Sequence, residues 1–189
     1  MELCTRMVEE RKKLEKVVEG AELHRKEDAV AYADALTQLI WNHNLLGLVY
    51  EYYDENSVYK GANGSRIATQ SGIIGQFLGM QAAFPDMRVH ITESFASGDA
   101  AAGFVVYQRS YCEGSNLGTS MYGPPTGRVL TEKNSMGQTV YVFKKTQGRW
   151  KVSSEFSLRS QQTTGNLLQS QVSAGPVDRQ ANKGLTDVA

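Results

Sequence analysis

The sequence predicts an α+β fold in which a curved antiparallel sheet and N-terminal helices enclose a pocket. Apolar residues recur at helical spacing as far as Phe84, and beyond Pro85 they alternate with polar residues as strands require. Helices followed by a run of antiparallel strands are typical of this class, and long strands that curl beneath helices leave a cavity. Hydrophobic residues make up 41% of the 189, enough for one domain with a real core.

Four segments carry the helical pattern. They are residues 2–26, 27–41, 45–53 and 69–84. Gly20 interrupts or kinks the first, because glycine is a poor helix former. Pro85 ends the last, since proline excludes the α region for the residue before it. The first helix has a single apolar stripe, which must cover either this domain or a neighbouring subunit.

The strand pattern begins after Pro85. Predicted strands cover residues 88–92, 101–111, 129–133, 138–144 and 150–158, with a hairpin signal at Ser97-Gly98-Asp99. Residues 165–189 are rich in Gln, Ser, Gly and Asn, and we expect them to be mostly disordered. The predicted organisation is therefore a helical extension at 1–26, an α+β domain at 27–164 and a tail.

Composition and motifs exclude several function classes. The chain carries 20 Lys+Arg and 20 Asp+Glu, so nothing favours nucleic acid or an anionic membrane. We expect a cytoplasmic protein, because no signal peptide and no membrane-spanning run is present. Cys4 and Cys112 have no metal-ligand spacing and are interpreted as free thiols. No phosphate loop, dinucleotide fingerprint, nucleophile elbow or metal motif occurs, so neither a cofactor nor a metal is expected.

Three side chains on predicted strands are candidates for chemistry. His90 could act as a base near neutral pH if its strand face lines the cavity. The interpretation we favour places this polar face toward solvent or a subunit contact. Tyr107 and Arg109 share another strand face, where they could bind an oxyanion or a carboxylate, or equally serve an interface.

Other candidates are aromatic or acidic. Trp41 and Tyr53 are interpreted as core or pocket wall, because large aromatic residues dominate interior area. Glu132 and Glu155 lie on predicted strands, and a buried carboxyl group could be a base. We expect both glutamates on the surface, since Glu is rarely buried without a partner.

The order of several short segments resembles the SnoaL-like polyketide cyclases, within the nuclear transport factor 2-like superfamily of cystatin-like folds. The segments are Trp41-Asn42, Tyr53-Asp54, Phe84-Pro85-Asp86-Met87, Gly98-Asp99, Gly123-Pro124-Pro125-Thr126-Gly127-Arg128 and Gly148-Arg149-Trp150-Lys151-Val152. The resemblance covers residues 27–169. It implies a cone-shaped α+β barrel with a deep pocket, often dimeric and needing no metal. Such relatives include cyclases, ketosteroid isomerase-like enzymes, dehydratases, hydrolases and non-catalytic binders.

The sequence departs from this family at its usual catalytic positions. Typical cyclases carry an Asp four residues after a Trp on the last strand, where this chain has Ser160 and Phe156. A histidine of the family is replaced by Ser120. A serine hydroxyl cannot carry the proton without an adjacent base. Tyr59 lies near the position of a pocket histidine in relatives, and its hydroxyl could orient a substrate carbonyl.

Three hypotheses follow. The first is a cofactor-free cyclase, isomerase or dehydratase that removes a proton next to a carbonyl of an apolar or polycyclic substrate. His90 or Tyr59 would be its acid or base, and the contact residues would be Trp41, Tyr53, Tyr107, Arg109, Ser120, Phe156 and Ser160. The second is a binding protein that has lost the proton-transfer pair. The third is an interaction module that docks through its N-terminal helix. A homodimer is expected.

Overall fold

Helices dominate the first half of the chain and strands the second. A computed structural model describes residues 2–61, 64–119 and 123–159. The helices are α1 (Glu2–Val18), α2 (Lys26–Trp41), α3 (Leu48–Tyr52), α4 (Gln70–Ala83) and α5 (Glu132–Ser135). The strands are β1 (Tyr53–Gly61), β2 (Arg66–Ala68), β3 (Arg88–Asp99), β4 (Gly103–Ser115), β5 (Val129–Leu130), β6 (Gly137–Thr146) and β7 (Arg149–Arg159).

Element types agree with the sequence prediction, and several boundaries differ. The first helix stops at Val18 because Gly20 adopts a φ of 64°, which no helix interior accommodates. The strand predicted from residue 129 ends after two residues, and α5 follows it. The side-chain amide of Asn134 accepts a hydrogen bond from the Thr131 backbone N–H at 2.7 Å and so supports the start of this short helix.

The strands form one mixed, curved and unclosed sheet. Its order is β2-β1-β7-β6-β4-β3, with β5 paired to β4. The prediction of a purely antiparallel sheet is wrong at one place, because β1 and β7 are parallel. These two strands are far apart in sequence, so no hairpin forces them to be antiparallel.

The register shifts at three places among the described strands: between Tyr53 and Val58 in β1, opposite β7, and at two single-residue bulges. One lies at Thr92 in β3, between the Ile91 and Glu93 pairings with β4. The other lies at Ser153 in β7, where the register against β6 shifts between Val142 and Phe143. An extra residue in a strand sharpens its twist and reverses which side chains face inward beyond it. Ser153 is held by its hydroxyl, which donates to the Val142 carbonyl at 3.0 Å.

The main core lies between the inner face of the sheet and helices α2 and α4. Tyr32 and Phe143 meet edge to face, with ring centroids 5.2 Å apart. Phe143 also stacks against Tyr141 at 5.8 Å. The largest fully buried side chains are Tyr32, Tyr53, Tyr141, Phe77, Phe84, Phe104, Phe143, Leu36, Leu39, Ile40, Ile73 and Gln108. On the outer face of the sheet, by contrast, the Phe95 side chain is 58% exposed. The two faces therefore differ in how far their side chains are buried.

Several residues that carry the family resemblance anchor loops to the frame. Asn42 pairs through its side-chain amide with the backbone of Val89, at 2.7 and 3.0 Å. The carboxylate of Asp86 accepts from the Ser115 N–H at 2.7 Å. Buried Asn116 accepts from the backbone N–H of Thr126 at 2.9 Å and thereby ties the proline-containing loop to β4. Asn42, Asp86 and Thr126 therefore hold loops in place through contacts with the backbone or with buried Asn116.

Candidate functional site

A buried glutamate lies on the inner face of the sheet. Glu155 in β7 is 3% exposed. Its register partner in β1 is Tyr59, and its partner in β6 is Tyr141. Side chains of directly paired residues stand on the same face of a sheet, so both phenols flank the carboxyl group. The expectation that Glu155 is exposed is therefore wrong.

The bulge at Ser153 causes this placement. Strict alternation from buried Trp150 through Val152 would turn Phe156 inward and Glu155 outward. The extra residue reverses the alternation, and Glu155 enters the interior instead. Phe156 lies on the opposite face, where the ammonium of Lys60 sits 4.6 Å from its ring centroid. This geometry gives no support to Phe156 as a wall of the interior.

Tyr53 is the hydrogen-bond partner of Glu155. Its hydroxyl donates to the carboxyl oxygen Oε2 at 2.6 Å, and Tyr53 itself is 1% exposed. Burial raises the pKa of Tyr53 well above 10, and the neighbouring Glu155 charge raises it further. The phenol therefore stays protonated, so it acts as a donor to the carboxyl group and not as a base. The side chain of Gln70 fixes the start of β1 by donating to the Tyr53 carbonyl at 2.8 Å.

A chain of polar side chains runs from helix α2 to the residues beside Glu155. Asp34 accepts from the Gln108 amide at 2.6 Å and from the Ser94 hydroxyl at 2.7 Å. The Thr37 hydroxyl donates to the Gln108 side-chain carbonyl at 2.9 Å and lies 3.1 Å from the Tyr141 hydroxyl. Buried polar groups of this kind fix one arrangement when each has a partner. The chain thus holds Tyr141 beside the glutamate.

An aromatic wall stands next to this polar cluster. Trp41 packs against Phe77 with ring centroids 4.6 Å apart, and Tyr59 meets Phe77 edge to face at 5.9 Å. Phe77 is fully buried, whereas Trp41 and Tyr59 are only partly buried. Tyr59 is the register partner of Glu155, so this run of rings reaches the inner face of the sheet beside the glutamate. Tyr53 reaches the same glutamate through its hydroxyl, and in the described ranges no ring contact joins it to Trp41.

The structure places His90 on the outer face of the sheet. Its ring stacks on Tyr111 with centroids 4.7 Å apart, and its Nε2 lies 3.0 Å from a Glu113 carboxylate oxygen. The His90 side chain is 41% exposed. This location matches the favoured interpretation of a solvent-facing side chain and separates His90 from the buried glutamate.

Tyr107 and Arg109 also lie on the outer face. Tyr107 is 37% exposed and stacks on Phe95 at 4.9 Å. Arg109 is exposed and paired in register with Glu93. Between them Gln108 points inward and is buried, so alternation sends its two neighbours outward. Neither residue meets the Glu155 cluster, which leaves the interface alternative as the one the geometry supports.

Three further sequence predictions concern a glutamate, two serines and the cysteines. Glu132 is exposed as expected, although it begins helix α5 and is not on a strand. Ser120 and Ser160, together with the predicted tail, lie outside the described residues. Among the described residues, Cys4 is exposed and Cys112 is buried, and no disulfide joins them.

Sequence reasoning missed Tyr141, Thr37 and Gln108. Tyr141 and Gln108 occupy alternating positions of strands, where a polar atom normally signals the solvent side. For Glu155, the Ser153-Ser154 pair that follows Val152 is a signal compatible with a bulge. No cluster of three His, Cys, Asp or Glu side chains in the described ranges could hold a metal ion. None of their helices combines the length and apolarity needed to cross a bilayer.

The raised pKa of Tyr53 makes the free energy of unfolding depend on pH in the alkaline range. The pKa of Tyr53 is raised by burial in the folded protein, whereas an unfolded tyrosine titrates near about 10. Above that pH the unfolded state loses a proton that the native state keeps, so stability is full below it and falls as pH rises. We expect Tyr53→Phe to flatten this decline in urea unfolding measured at increasing pH. A slope equal to that of the unsubstituted protein would show that Tyr53 ionises freely when folded.

Comparison with known proteins adds a family and a fold. The model of the SnoaL-like polyketide cyclase family matches residues 31–150. No curated protein matches the chain in sequence. A protein from Jannaschia sp. CCS1, named for its likeness to SnoaL polyketide cyclases, superposes with a TM-score of 0.56 at 14% identity. The match covers 74% of this chain and 90% of that one.

Two other solved structures have the same architecture. AclR from Streptomyces galilaeus superposes with a TM-score of 0.56 at 18% identity, over 83% of this chain and 93% of its own. Nuclear transport factor 2 from Cryptosporidium parvum gives 0.52 at 13% identity, over 75% and 100%. At these identities the likeness concerns the fold, which confirms the cone-shaped α+β architecture expected from the sequence.

Proposed function

Since the chain belongs to the SnoaL-like polyketide cyclase family, we propose that it performs cofactor-free acid–base chemistry on a small apolar carbonyl compound. Glu155 is the proton-transfer group in this proposal. The observation that carries it is a carboxyl group 3% exposed, flanked in register by two tyrosines and bonded to a third at 2.6 Å. Buried carboxyl groups with specific partners are concentrated at functional sites.

The chemistry follows from what each side chain can do. The Glu155 carboxylate takes a proton from the carbon next to the substrate carbonyl, and the C–H electron pair moves to the carbonyl oxygen. Tyr59 donates a hydrogen bond to that developing oxyanion, since it adjoins Glu155 in register and is partly accessible. In an isomerisation, the C=C bond becomes conjugated with the carbonyl group, and Glu155 returns the proton to the far carbon of the dienolate. In an intramolecular ring closure, the enolate carbon instead bonds to a second carbonyl carbon of the same substrate, and Glu155 gives its proton to the resulting alkoxide oxygen.

The apolar wall defines the substrate class. Trp41, Phe77 and Tyr59 form a run of contacting rings, and Tyr59 is the register partner of Glu155. A planar or polycyclic carbonyl compound would gain contact with these rings, and water would be displaced from around Glu155. Tyr53 orients the carboxyl group through its 2.6 Å hydrogen bond. The hydrogen-bonded chain from Asp34 to Tyr141 holds the Tyr141 side chain next to Glu155.

An exchange reaction tests the proposal without knowledge of the natural substrate. 2-Tetralone is a bicyclic ketone whose acidic C–H bonds exchange with D₂O once a base removes the proton. We expect the protein to accelerate this exchange, followed by NMR, well beyond the buffer rate. 2-Naphthol resembles the enol form and should inhibit by competing for the site.

Two results would overturn parts of the proposal in different ways. Binding of 2-naphthol without accelerated exchange would contradict catalysis and favour the non-catalytic binding protein, which keeps the pocket alone. Neither binding nor exchange would contradict the apolar substrate class as well.

A further inference from the structure

A cavity lies away from the glutamate site, between the end of α1, helix α3 and the hairpin joining β6 to β7. Its volume is about 330 Å³. This is enough for a small organic molecule. None of the residues around Glu155 lines it, so its contents would not touch the proposed reaction.

Aromatic rings form one side of this cavity. Tyr32 and Tyr52 meet edge to face, with centroids 6.2 Å apart and planes at 78°. Trp150 also lines the cavity and is 4% exposed. The faces of such rings carry partial negative charge, and they attract cations that reach within about 6 Å of the ring centre.

The lining of the cavity also contains carboxylates. Glu19, Glu22 and Glu51 line the cavity, against a single guanidinium from Arg149. Glu22 is already paired with Lys145 at 2.7 Å. Among the described residues, Glu19 and Glu51 form no ion pair, so their charge remains available to a ligand. The pKa of Tyr52 is raised by burial first and then by the charges of Glu51 and Glu19, which agrees with a negative local potential.

A buried hydrogen-bond donor indicates that the same ligand also carries an acceptor atom. The indole N–H of Trp150 is buried and has no hydrogen-bond partner among the described residues. It lies near the Glu22 carboxylate, whose pKa is lowered chiefly by Lys145 and to a lesser degree by this N–H. The Tyr32 hydroxyl does not serve it, because that hydroxyl donates to the Trp150 carbonyl at 2.9 Å. An unpaired buried donor is costly and is normally satisfied by a ligand or water.

We propose that this cavity binds a small organic ammonium ion that carries a hydrogen-bond acceptor. The ammonium group lies against the partly exposed ring of Tyr52 and the carboxylates of Glu19 and Glu51. The acceptor oxygen takes the indole N–H of Trp150. The proposal does not depend on chemistry at Glu155.

Choline and its neutral analogue 3,3-dimethylbutan-1-ol form a matched pair of probes, because they share shape and hydroxyl group and differ in charge. The chain has two tryptophans, and Trp41→Phe identifies which indole N–H resonance belongs to Trp150. Titrating the full-length protein with choline should shift the Trp150 resonance saturably. The neutral analogue should bind roughly tenfold more weakly, as loss of the cation–π attraction requires.

Charge variants complete the test. The double substitution Glu19→Gln and Glu51→Gln should weaken choline binding several-fold and leave the neutral analogue unaffected. Glu132→Gln, an exposed position outside the cavity, serves as the control and should change neither. Equal affinity for the two probes, or a Trp150 resonance that choline leaves unmoved, would overturn the proposal. An equal loss of affinity in the control would also do so, since general surface charge would then explain the binding.

Discussion

Replacing Glu155 with glutamine is expected to lower the rate of deuterium exchange into 2-tetralone by about 10²- to 10⁴-fold, the usual contribution of a positioned acid–base group. Glutamine keeps the shape of the side chain and an oxygen that can accept from Tyr53, which lies 2.6 Å from the carboxyl group in the native protein. It has no carboxylate to take up a proton. The rate, measured by NMR at saturating substrate, should fall while 2-naphthol still binds.

Glu132→Gln is the matched control for this substitution. It makes the same chemical change at an exposed position on α5 and should leave the exchange rate unaltered. Thermal unfolding of both variants shows whether the fold persists. If the Glu155→Gln protein is folded and exchanges at the native rate, Glu155 is not the base, and its burial has a structural purpose only.

The second large effect concerns the aromatic core beneath the helices. Phe143 is 0% exposed and contacts both Tyr32 and Tyr141. Phe143→Ala should lower the free energy of unfolding by about 3–5 kcal/mol, because it removes buried apolar surface and leaves a cavity. For a protein of this size, each kcal/mol corresponds to about 2–4 °C in Tm. Scanning calorimetry measures the shift.

Phe95→Ala provides the comparison on the opposite face of the sheet. Phe95 is 58% exposed, and its main aromatic contact is the stack on Tyr107. Losing that stack should cost about 1 kcal/mol or less. Similar losses of stability in the two variants would contradict the assignment of inner and outer faces on which the candidate site depends.

Much of the fold can be predicted from the sequence, because the positions of helices and strands follow local patterns of apolar residues, glycine and proline. The change of period after Pro85 separates helices from strands, and Gly20 ends α1 through its own backbone preference. The parallel pairing of β1 with β7 cannot be predicted from such local patterns. It joins segments far apart in the chain, and no turn between them records the direction.

The candidate site is harder to predict from the sequence, because it too depends on contacts between residues far apart in the chain. Trp41 and Tyr53 are predicted as core or pocket wall because large aromatic residues dominate interior area, whereas Tyr59 is placed near the pocket only by the family resemblance. Glu155 was expected on the surface because burial of an unpaired carboxyl group is rare. The hydrogen bond from Tyr53 provides the missing partner, and that contact spans residues 102 positions apart in the chain. Its existence depends on tertiary packing that neither residue encodes alone.

The last strand could lose its extra residue without changing which side chains it turns inward. Deleting Ser153 would leave Val152 opposite Phe143 and Ser154 opposite Val142 as successive pairs, so that Glu155 would still face Tyr141 on the inner side. What would change is the local twist of the strand, which a bulge increases.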